Sequence, residues 1–574
     1  MMPLSALFTF KIGGQAGQGV KSAGLMFSKV ATRSGYYIYT HTEYPSLVRG
    51  GHNVMQVSVS DKEVFAPTQH TNLLVALNQE TIDLHYHELV EGGFLLFDEA
   101  SNLNTSKVSN NVHICPIPLA KLAENSDGSP LMSNTVALGA TIGILGGDIK
   151  YLKNLLSEEF AKKGEEVIKQ NHAAALTGYD YTRNHFAQLI TSTLKPKEEH
   201  RSLMVVNGNQ AAALGAVAAG LQFAAIYPMT PTSNILHTLA PLQKECGFIY
   251  KQPEDELAAI NMALGASFAG ARSLVATSGG GFCLMSEGYG LAGLAELPVV
   301  IIEGMRGAPA TGIPTWTEQG DLRFVLHAHQ GDFPRIVLAA GDAKETFDLT
   351  MQAFNLADIY QTPVLILIDK HICENDQSYE PFDYSGYEVD RGRFTTEKVE
   401  NYQRFALSSD GISLRSTPGT GNHLLANSDE HDQYGYSNEE IENRNQQMQK
   451  RMKKLETCAQ THMPAPQLFG PDKADVTIVS WGSNKGSILQ AIEQFNNVNY
   501  LHLTWINPFP TQAVRERLQK AKYLINIECN YTAQMGGLIK ERTGIEILDN
   551  YLKYDGRPIY PEEIIEKVNK VLGR

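Results

Sequence analysis

Leu7 to Ile12 is an apolar, β-prone run that meets the cluster Gly13-Gly14-Gln15-Ala16-Gly17-Gln18-Gly19, and Val20 to Arg33 then repeats apolar residues at helical spacing. That order predicts a strand, a glycine turn and a helix, the opening unit of an α/β fold. Strand-like runs follow at Tyr36–Thr40, Val54–Val59, Leu73–Leu77 and Gly93–Phe97, with a helical stretch at Thr135–Leu145. The pattern fades over Asn171–Thr191, and the polar stretch Thr191–Arg201, which contains Pro196, reads as a linker.

A second block opens with MVVNGNQAAALGAVAAGLQFAAIYPMTPTSNIL, which predicts a strand, an Ala-rich helix, a strand at Leu221–Tyr227, a proline turn and another helix. Runs rich in β-branched residues at Ser273–Thr277, Pro298–Glu303, Arg335–Leu338 and Pro363–Asp369 are separated by helical lengths, which predicts a parallel sheet covered on both faces. From Glu374 to Asp472 the chain turns polar and shows no clear strand, although Asn438–Leu455 has the pattern of a charged surface helix. At about 100 residues this is long for a loop, so it reads as an ordered or binding-ordered arm. Beyond Ala474, strands at Val476–Val479, Tyr500–Leu503 and Tyr523–Ile527 alternate with helices and predict a third, small α/β domain.

Composition narrows the function. The 574 residues carry 48 Lys+Arg against 62 Asp+Glu, a net charge of −14 that opposes binding to nucleic acid or anionic membranes. There is no secretory leader pattern and no apolar run of membrane-spanning length, and the expected location is cytoplasmic. The six cysteines lie at least 37 residues apart, which excludes metal knuckles and a dense disulfide framework.

Several constellations can carry chemistry. In the first glycine loop, Gly14, Gly17 and Gly19 suit either phosphate contact or tight strand–helix packing, and Arg49-Gly50-Gly51 suits an anion nest or a surface hairpin. In Tyr227-Pro228-Met229-Thr230-Pro231, Thr230 is placed as a helix N-cap with Pro231 at the first helical position. Glu254, Asp255 and Glu256 open a helix of small apolar residues, LAAINMALGASFAGA. Acidic residues there are favoured by the helix dipole alone, but one pointing inward would have a raised pKa and a proton-transfer capability. Thr277-Ser278-Gly279-Gly280-Gly281 reads as another close-approach loop, and Arg306 in Met305-Arg306-Gly307-Ala308-Pro309-Ala310-Thr311-Gly312 as a carboxylate clamp. The last four of these, all in the second block, fall at the carboxyl ends of successive strands, where α/β sheets build a common pocket.

These residues resemble the 2-oxoacid:ferredoxin oxidoreductases, thiamine-diphosphate enzymes that oxidatively decarboxylate 2-oxoacids to acyl-CoA. The match is to an α subunit with a γ domain fused at its N-terminus, most like the 2-oxoglutarate enzymes, and it spans nearly the whole chain. GGQAGQG and RGGHN resemble the γ domain; YPMTP, EDELAAINMALGA, TSGGGF and RGAPATGIPT the pyrimidine-binding domain; SWGS, NPFP, ECNYTAQ and DGRPIYPEEI the transketolase-like C-terminal domain. The resemblance implies an α/β chain with a γ domain over 1–190, a linker over 191–201, a pyrimidine-binding domain over 202–373, the arm over 374–472 and the C-terminal domain over 473–574.

By the same resemblance, Glu256 hydrogen-bonds the cofactor's aminopyrimidine ring and exchanges a proton with it, as catalytic residue. Thr230 lies near the cofactor and substrate, Arg306 binds the 2-oxoacid carboxylate, and Thr311 is a second substrate contact. Gly14, Gly17, Gly19 and Arg49 are implied coenzyme A contacts. Met229, Ala308, Ala310 and Ala533 depart from the family's usual isoleucine, glycine, serine and glycine, which weakens inference about substrate choice. The chain has no GDG motif for Mg²⁺ and diphosphate and no cysteine spacing for a 4Fe–4S cluster, so a β subunit is expected to supply these, with no metal on this chain. Ferredoxin is the implied electron partner and a dimer of αβ heterodimers the implied assembly. Pyruvate, branched-chain 2-oxoacids and indolepyruvate are alternative substrates, and either reaction direction uses the same groups. A non-catalytic assembly subunit is the alternative of a different class, against which Glu256, Thr230 and Arg306 stand together.

Overall fold

The computed structural model describes residues 7–47, 50–126, 129, 132–198 and 201–573, and Arg49 therefore lies outside the described residues. The chain forms two compact units. The first is Met1–Val206 with Asn375–Phe382 and Tyr560–Glu562; the second is Asn207–Glu374, Asp383–Ile559 and Glu563–Arg574.

In the first unit the strand Phe8–Gln15 runs antiparallel to His52–Ser60, from Phe8 opposite Val59 to Gln15 opposite His52, and parallel to Thr71–Ala76. It thus continues through Gly13 and Gly14 instead of stopping at Ile12. Glycine allows this because a Cβ would come within 2.6 Å of Thr81 at Gly13 and 3.0 Å of Leu77 at Gly14. The full sheet among the described residues has the order His113–Ile117, Leu89–Asp98, Thr71–Ala76, Phe8–Gln15, His52–Ser60, Tyr37–Glu43, Gln377–Tyr379 and Met204–Val206. The predicted helix Val20–Arg33 packs on it through Phe27, whose ring stacks on Phe10 at 4.2 Å between centroids. Where the sequence pattern faded, a helix runs over Glu165–His185. Its buried side is Asn171, Ala174, Ala175, Gly178 and Thr182, small and partly polar, so no apolar stripe announces it. It lies against the helix Ser133–Ile144, buried from Val136 onward, so close that a Cβ on Gly139 or Gly178 would strike the facing backbone.

The second unit holds a seven-stranded sheet in the order Trp505–Asn507, Ile336–Ala339, Pro363–Asp369, Val299–Met305, Ser273–Thr277, Phe223–Ala225 and Ile249–Lys251. Its pairings are parallel except that of Trp505–Asn507, which lies antiparallel on the edge. The three central strands are buried along their whole length, as continuous apolar runs in a parallel sheet require. A five-stranded sheet, Gln467–Phe469, Val498–Leu503, Val476–Trp481, Tyr523–Glu528 and Asp549–Leu552, shares a core with it: Trp481, Leu501 and Leu503 cluster with Met305, Val337 and Leu365.

The polar segment after Glu374 contains two short strands, Gln377–Tyr379 and Gln467–Phe469, that its composition did not reveal, and the helix Ile441–Thr461. Two buried ionic clusters bind it to the second unit. Asp358 receives Arg272 at 3.0 Å together with Arg391 at 2.8 Å and Arg415 at 2.7 Å from the segment. Glu296 receives Lys450 and Lys454, both at 2.6 Å, and its carbonyl accepts from Arg404 at 2.6 Å. Burial pulls the two lysines down to about 8 and about 7, and the Glu296 charge opposes that pull in both. Among the described residues no helix is long and apolar enough to cross a membrane.

Glu296→Gln is expected to cost about 3–5 kcal/mol, because it strands two buried ammonium groups without a counter-charge. Denaturant unfolding of the purified chain measures this, and hydrogen exchange across 390–460 should accelerate in parallel; an unchanged midpoint would refute the anchoring role.

Candidate functional site

Asp255 caps the helix Glu256–Phe268, its side chain accepting from the Ala258 N–H at 2.7 Å, and Glu256 is the first helical residue. The Glu256 side chain turns inward: the residue is 2% exposed, and its Oε1 is buried without a hydrogen-bond partner. Burial, aided by the Asp255 charge, pushes its pKa above the ordinary carboxylate range. Across from it begins the helix Gly279–Leu294, with Ser278 at its N-cap position. The triple glycine is the first turn of that helix and not a loop. A Cβ on Gly281 would overlap Thr277 Oγ1 and stand 2.5 Å from Glu256 Oε1, so glycine is what leaves room for the carboxyl.

Thr277 Oγ1 also contacts Met229 Sδ at 4.0 Å, which links this pair to the 227–232 turn. Here the expected cap is displaced. The helix runs over Ser233–Cys246 with Thr232 at its N-cap position, not Thr230. The Thr232 N–H and Oγ1 both donate to the Met229 carbonyl, at 2.9 and 3.1 Å, so a turn occupies the residues assigned to the first helical turn. The Thr230 carbonyl instead accepts from Arg306 Nη1 at 2.8 Å. The structure therefore brings Thr230 and Arg306 into contact, with Met229 and Thr277 linking them toward Glu256. Thr311 sits on the exposed part of the 308–313 loop and makes no hydrogen bond to Glu256, Thr230 or Arg306 among the described residues.

That loop is buttressed by the C-terminal motifs. Gly307 and Ile313 pair as an isolated bridge. Gln319 donates to the Trp481 carbonyl at 2.9 Å and accepts from the Cys529 N–H and from Asn484, both at 2.8 Å. Thr317 N–H donates to the Gly556 carbonyl at 3.1 Å, and Arg557 stacks on Trp316 at 3.7 Å. Residues from SWGS, ECNYTAQ and DGRPIY thus hold one segment. Ala533, where glycine is usual, keeps a left-handed backbone at φ 50°.

Sequence reasoning missed Glu303 and Asp321. Glu303 is wholly buried in the strand Val299–Met305, opposite Thr277 on the neighbouring strand, with its carboxyl set against that of Asp321. Burial and the Asp321 charge push it far up, and burial raises Asp321 as well. Burial draws Arg306 down, with the Asp321 and Glu303 charges opposing that pull. The available signal was a single acidic residue within the apolar run VVIIEGM.

In the first unit, the glycines divide their work. Gly14 lies in the strand and packs on Leu77; Gly19, at φ 74°, precedes the helix; a Cβ on Gly17 would meet open space. Gln18 closes the turn, its N–H donating to the Gln15 carbonyl at 3.1 Å and its Oε1 accepting from the Gln15 N–H at 2.6 Å.

Gly281→Ala is expected to displace the Glu256 carboxyl and lower stability by about 1–3 kcal/mol through overpacking. A denaturation midpoint equal to the parent's would show that the carboxyl is not confined there.

Family models match three stretches: pyruvate ferredoxin/flavodoxin oxidoreductase over 9–181, pyruvate flavodoxin/ferredoxin oxidoreductase, thiamine diphosphate-binding, over 214–450, and pyruvate:ferredoxin oxidoreductase core domain II over 474–564. The 2-oxoacid:ferredoxin oxidoreductase subunit alpha of Saccharolobus solfataricus is 34% identical, with 99% of this chain and 98% of that protein covered. The 2-oxoglutarate oxidoreductase subunit KorA of Mycobacterium tuberculosis is 28% identical, with 87% and 82% covered. A solved 2-oxoglutarate:ferredoxin oxidoreductase from Magnetococcus marinus, with 2-oxoglutarate, coenzyme A and succinyl-CoA bound, matches with a TM-score of 0.93 at 29% identity over 99% of each chain.

Proposed function

This chain belongs to the 2-oxoacid:ferredoxin oxidoreductases as an alpha subunit, and on that premise we propose that it oxidises 2-oxoglutarate, with coenzyme A as acyl acceptor and ferredoxin as electron acceptor. The products are succinyl-CoA, carbon dioxide and two reduced ferredoxins, or the reverse where the potential favours carboxylation. The choice of 2-oxoglutarate draws on the names of KorA relatives and of the Magnetococcus marinus structure.

The observation that carries the reading is the buried, unpartnered Glu256 carboxyl in the space that Gly281 keeps open. A carboxyl with a raised pKa and a free oxygen suits a ring nitrogen that must exchange a proton, so the site fits thiamine diphosphate. When bound, thiamine diphosphate supplies the electron sink that decarboxylation needs. Glu256 would hold the exchanging proton at its Oε1. Arg306, steadied by the Thr230 carbonyl, would pair with the substrate carboxylate through its remaining guanidinium donors, and Thr311 would close over it from the 308–313 loop. The wholly buried floor of Thr277 and Glu303 would keep water from that pair.

A β subunit would complete the site with the diphosphate-binding half, Mg²⁺ and the cluster. Exposed apolar residues on the two site helices, Leu257 at 48%, Met262 at 45% and Leu284 at 46%, give such a partner a surface to cover.

Co-expression with a β chain, followed by anaerobic reduction of ferredoxin with a panel of 2-oxoacids and coenzyme A, tests the reading. Activity on 2-oxoglutarate is expected; activity on pyruvate, a branched-chain acid or indolepyruvate would keep the chemistry and change the substrate, and inactivity of a fully loaded complex would favour an assembly role. In the same assay Glu256→Gln should remove turnover while the complex still assembles. Arg306→Met should lower kcat/KM for the 2-oxoacid by about 30-fold or more, the loss expected for one charge-assisted pair.

A further inference from the structure

Glu303 and Asp321 form a carboxyl pair beside Arg306. Asp321 stands at the N-cap position of the short helix Leu322–His327, yet its side chain makes no capping hydrogen bond there. It lies instead over the first turn of the helix Gly279–Leu294, where a Cβ on Gly279 would overlap the carboxylate. Glycine thus makes room for Asp321 at the first residue of that helix, as it does for Glu256 at the third. The positive end of the helix dipole favours a negative charge at this place. Glu303, wholly buried, sets its carboxyl against that of Asp321 from the same strand end that carries Arg306.

Two carboxyls in contact away from water cannot both ionise, so the pair keeps one proton. Burial and the Asp321 charge push Glu303 well above the ordinary range, which puts the proton there. Burial raises Asp321 too, but the hydrogen bond from Glu303 and the Arg306 charge both oppose that rise. In the empty site the order is therefore protonated Glu303, ionised Asp321 and cationic Arg306. Burial draws the guanidinium down, and the Asp321 charge opposes that pull more than the Glu303 charge does. Cys283, Glu318, Asp369 and Cys373 also face the pair, and burial raises each of them, so none of the four supplies a positive charge.

A substrate carboxylate on Arg306 upsets this order. The guanidinium then serves two anions, and Asp321 loses part of the attraction that kept it charged. We propose that Asp321 is the resident counter-ion of Arg306, that protonated Glu303 holds it in place, and that an arriving 2-oxoacid carboxylate displaces it while the pair takes up one proton. One negative charge and one proton enter together, so the site gains no net charge. This rests on the reading of Arg306 as the substrate clamp. Both acids are positioning residues, since they act on the substrate through the guanidinium. Because uptake of the proton is linked to binding, affinity for the 2-oxoacid falls as pH rises, by at most about tenfold per pH unit.

The αβ complex, kept free of thiamine diphosphate and coenzyme A so that nothing turns over, is mixed in a lightly buffered indicator solution with 2-oxoglutarate, or with whichever acid of the panel the loaded complex oxidises. The parent is expected to take up most of one proton per 2-oxoacid bound, a measurement that needs no variant to fold. Asp321→Asn should take up none, and in the loaded complex its kcat/KM relative to the parent's should rise with pH, which a merely structural defect would not produce. Glu303→Leu leaves Asp321 without its donor and already protonated, so uptake should fall about threefold or more. Glu303→Gln, whose carboxamide still donates to Asp321, should restore it. Binding by the parent without uptake, a pH-independent ratio for Asp321→Asn, or full uptake by Glu303→Leu overturns the counter-ion pair alone. Failure of the parent to bind any 2-oxoacid, or parent-like binding by Arg306→Met, overturns the clamp reading with it.

Discussion

Burying a carboxyl group without a partner is costly, and the second unit is arranged around one. Glu256 can enter the interior only because Asp255 takes the capping duty at the helix start and Gly281 has no side chain. The two helices that meet there are rich in glycine and alanine, and at Gly288 a Cβ would come within 2.9 Å of Ile260. Close packing and the inward carboxyl are one constraint: larger residues would separate the helices and let water reach the charge. The parallel strands beneath deliver Thr277, Met229 and Arg306 to the same edge.

The loop after Arg306 shows how a long chain stabilises a short one. Beyond the Gly307–Ile313 bridge the 308–314 loop forms no helix or strand, yet the segment after it is tied by Gln319 to Trp481, Asn484 and Cys529, and by Thr317 to Gly556. Backbone and amide hydrogen bonds of this kind carry direction as well as energy, so they locate the loop instead of merely covering it. The Glu296 and Asp358 clusters act on a larger scale. Each concentrates several cations on one buried carboxylate, which makes the polar segment after Glu374 part of the packed unit.

The sequence is legible where structure is local. Repeating apolar runs and their spacing carry the α/β class, and the helix Val20–Arg33 and the strands Ser273–Thr277 and Pro363–Asp369 have the predicted bounds. The same local reading misplaced the helix start at Thr230, because Thr230 and Thr232 are equally good caps on paper and only the hydrogen bonds to Met229 and Arg306 separate them. It also read the Gly279–Gly281 turn as a loop, since glycine frequency says nothing about whether Ser278 begins a helix.

What the sequence determined by itself was the order of strands and helices, the motifs at strand ends and the kind of side chain each motif offers. Tertiary structure alone decided which of those side chains lose water and which meet. Glu303 looks like one charge in a strand until the sheet buries both its oxygens. Lys11, His52, His85 and Glu88 share no spacing rule, and they meet only because strand pairing and one short helix bring them together. Periodicity encodes which face a residue takes, whereas desolvation and hydrogen-bond direction depend on partners far away along the chain.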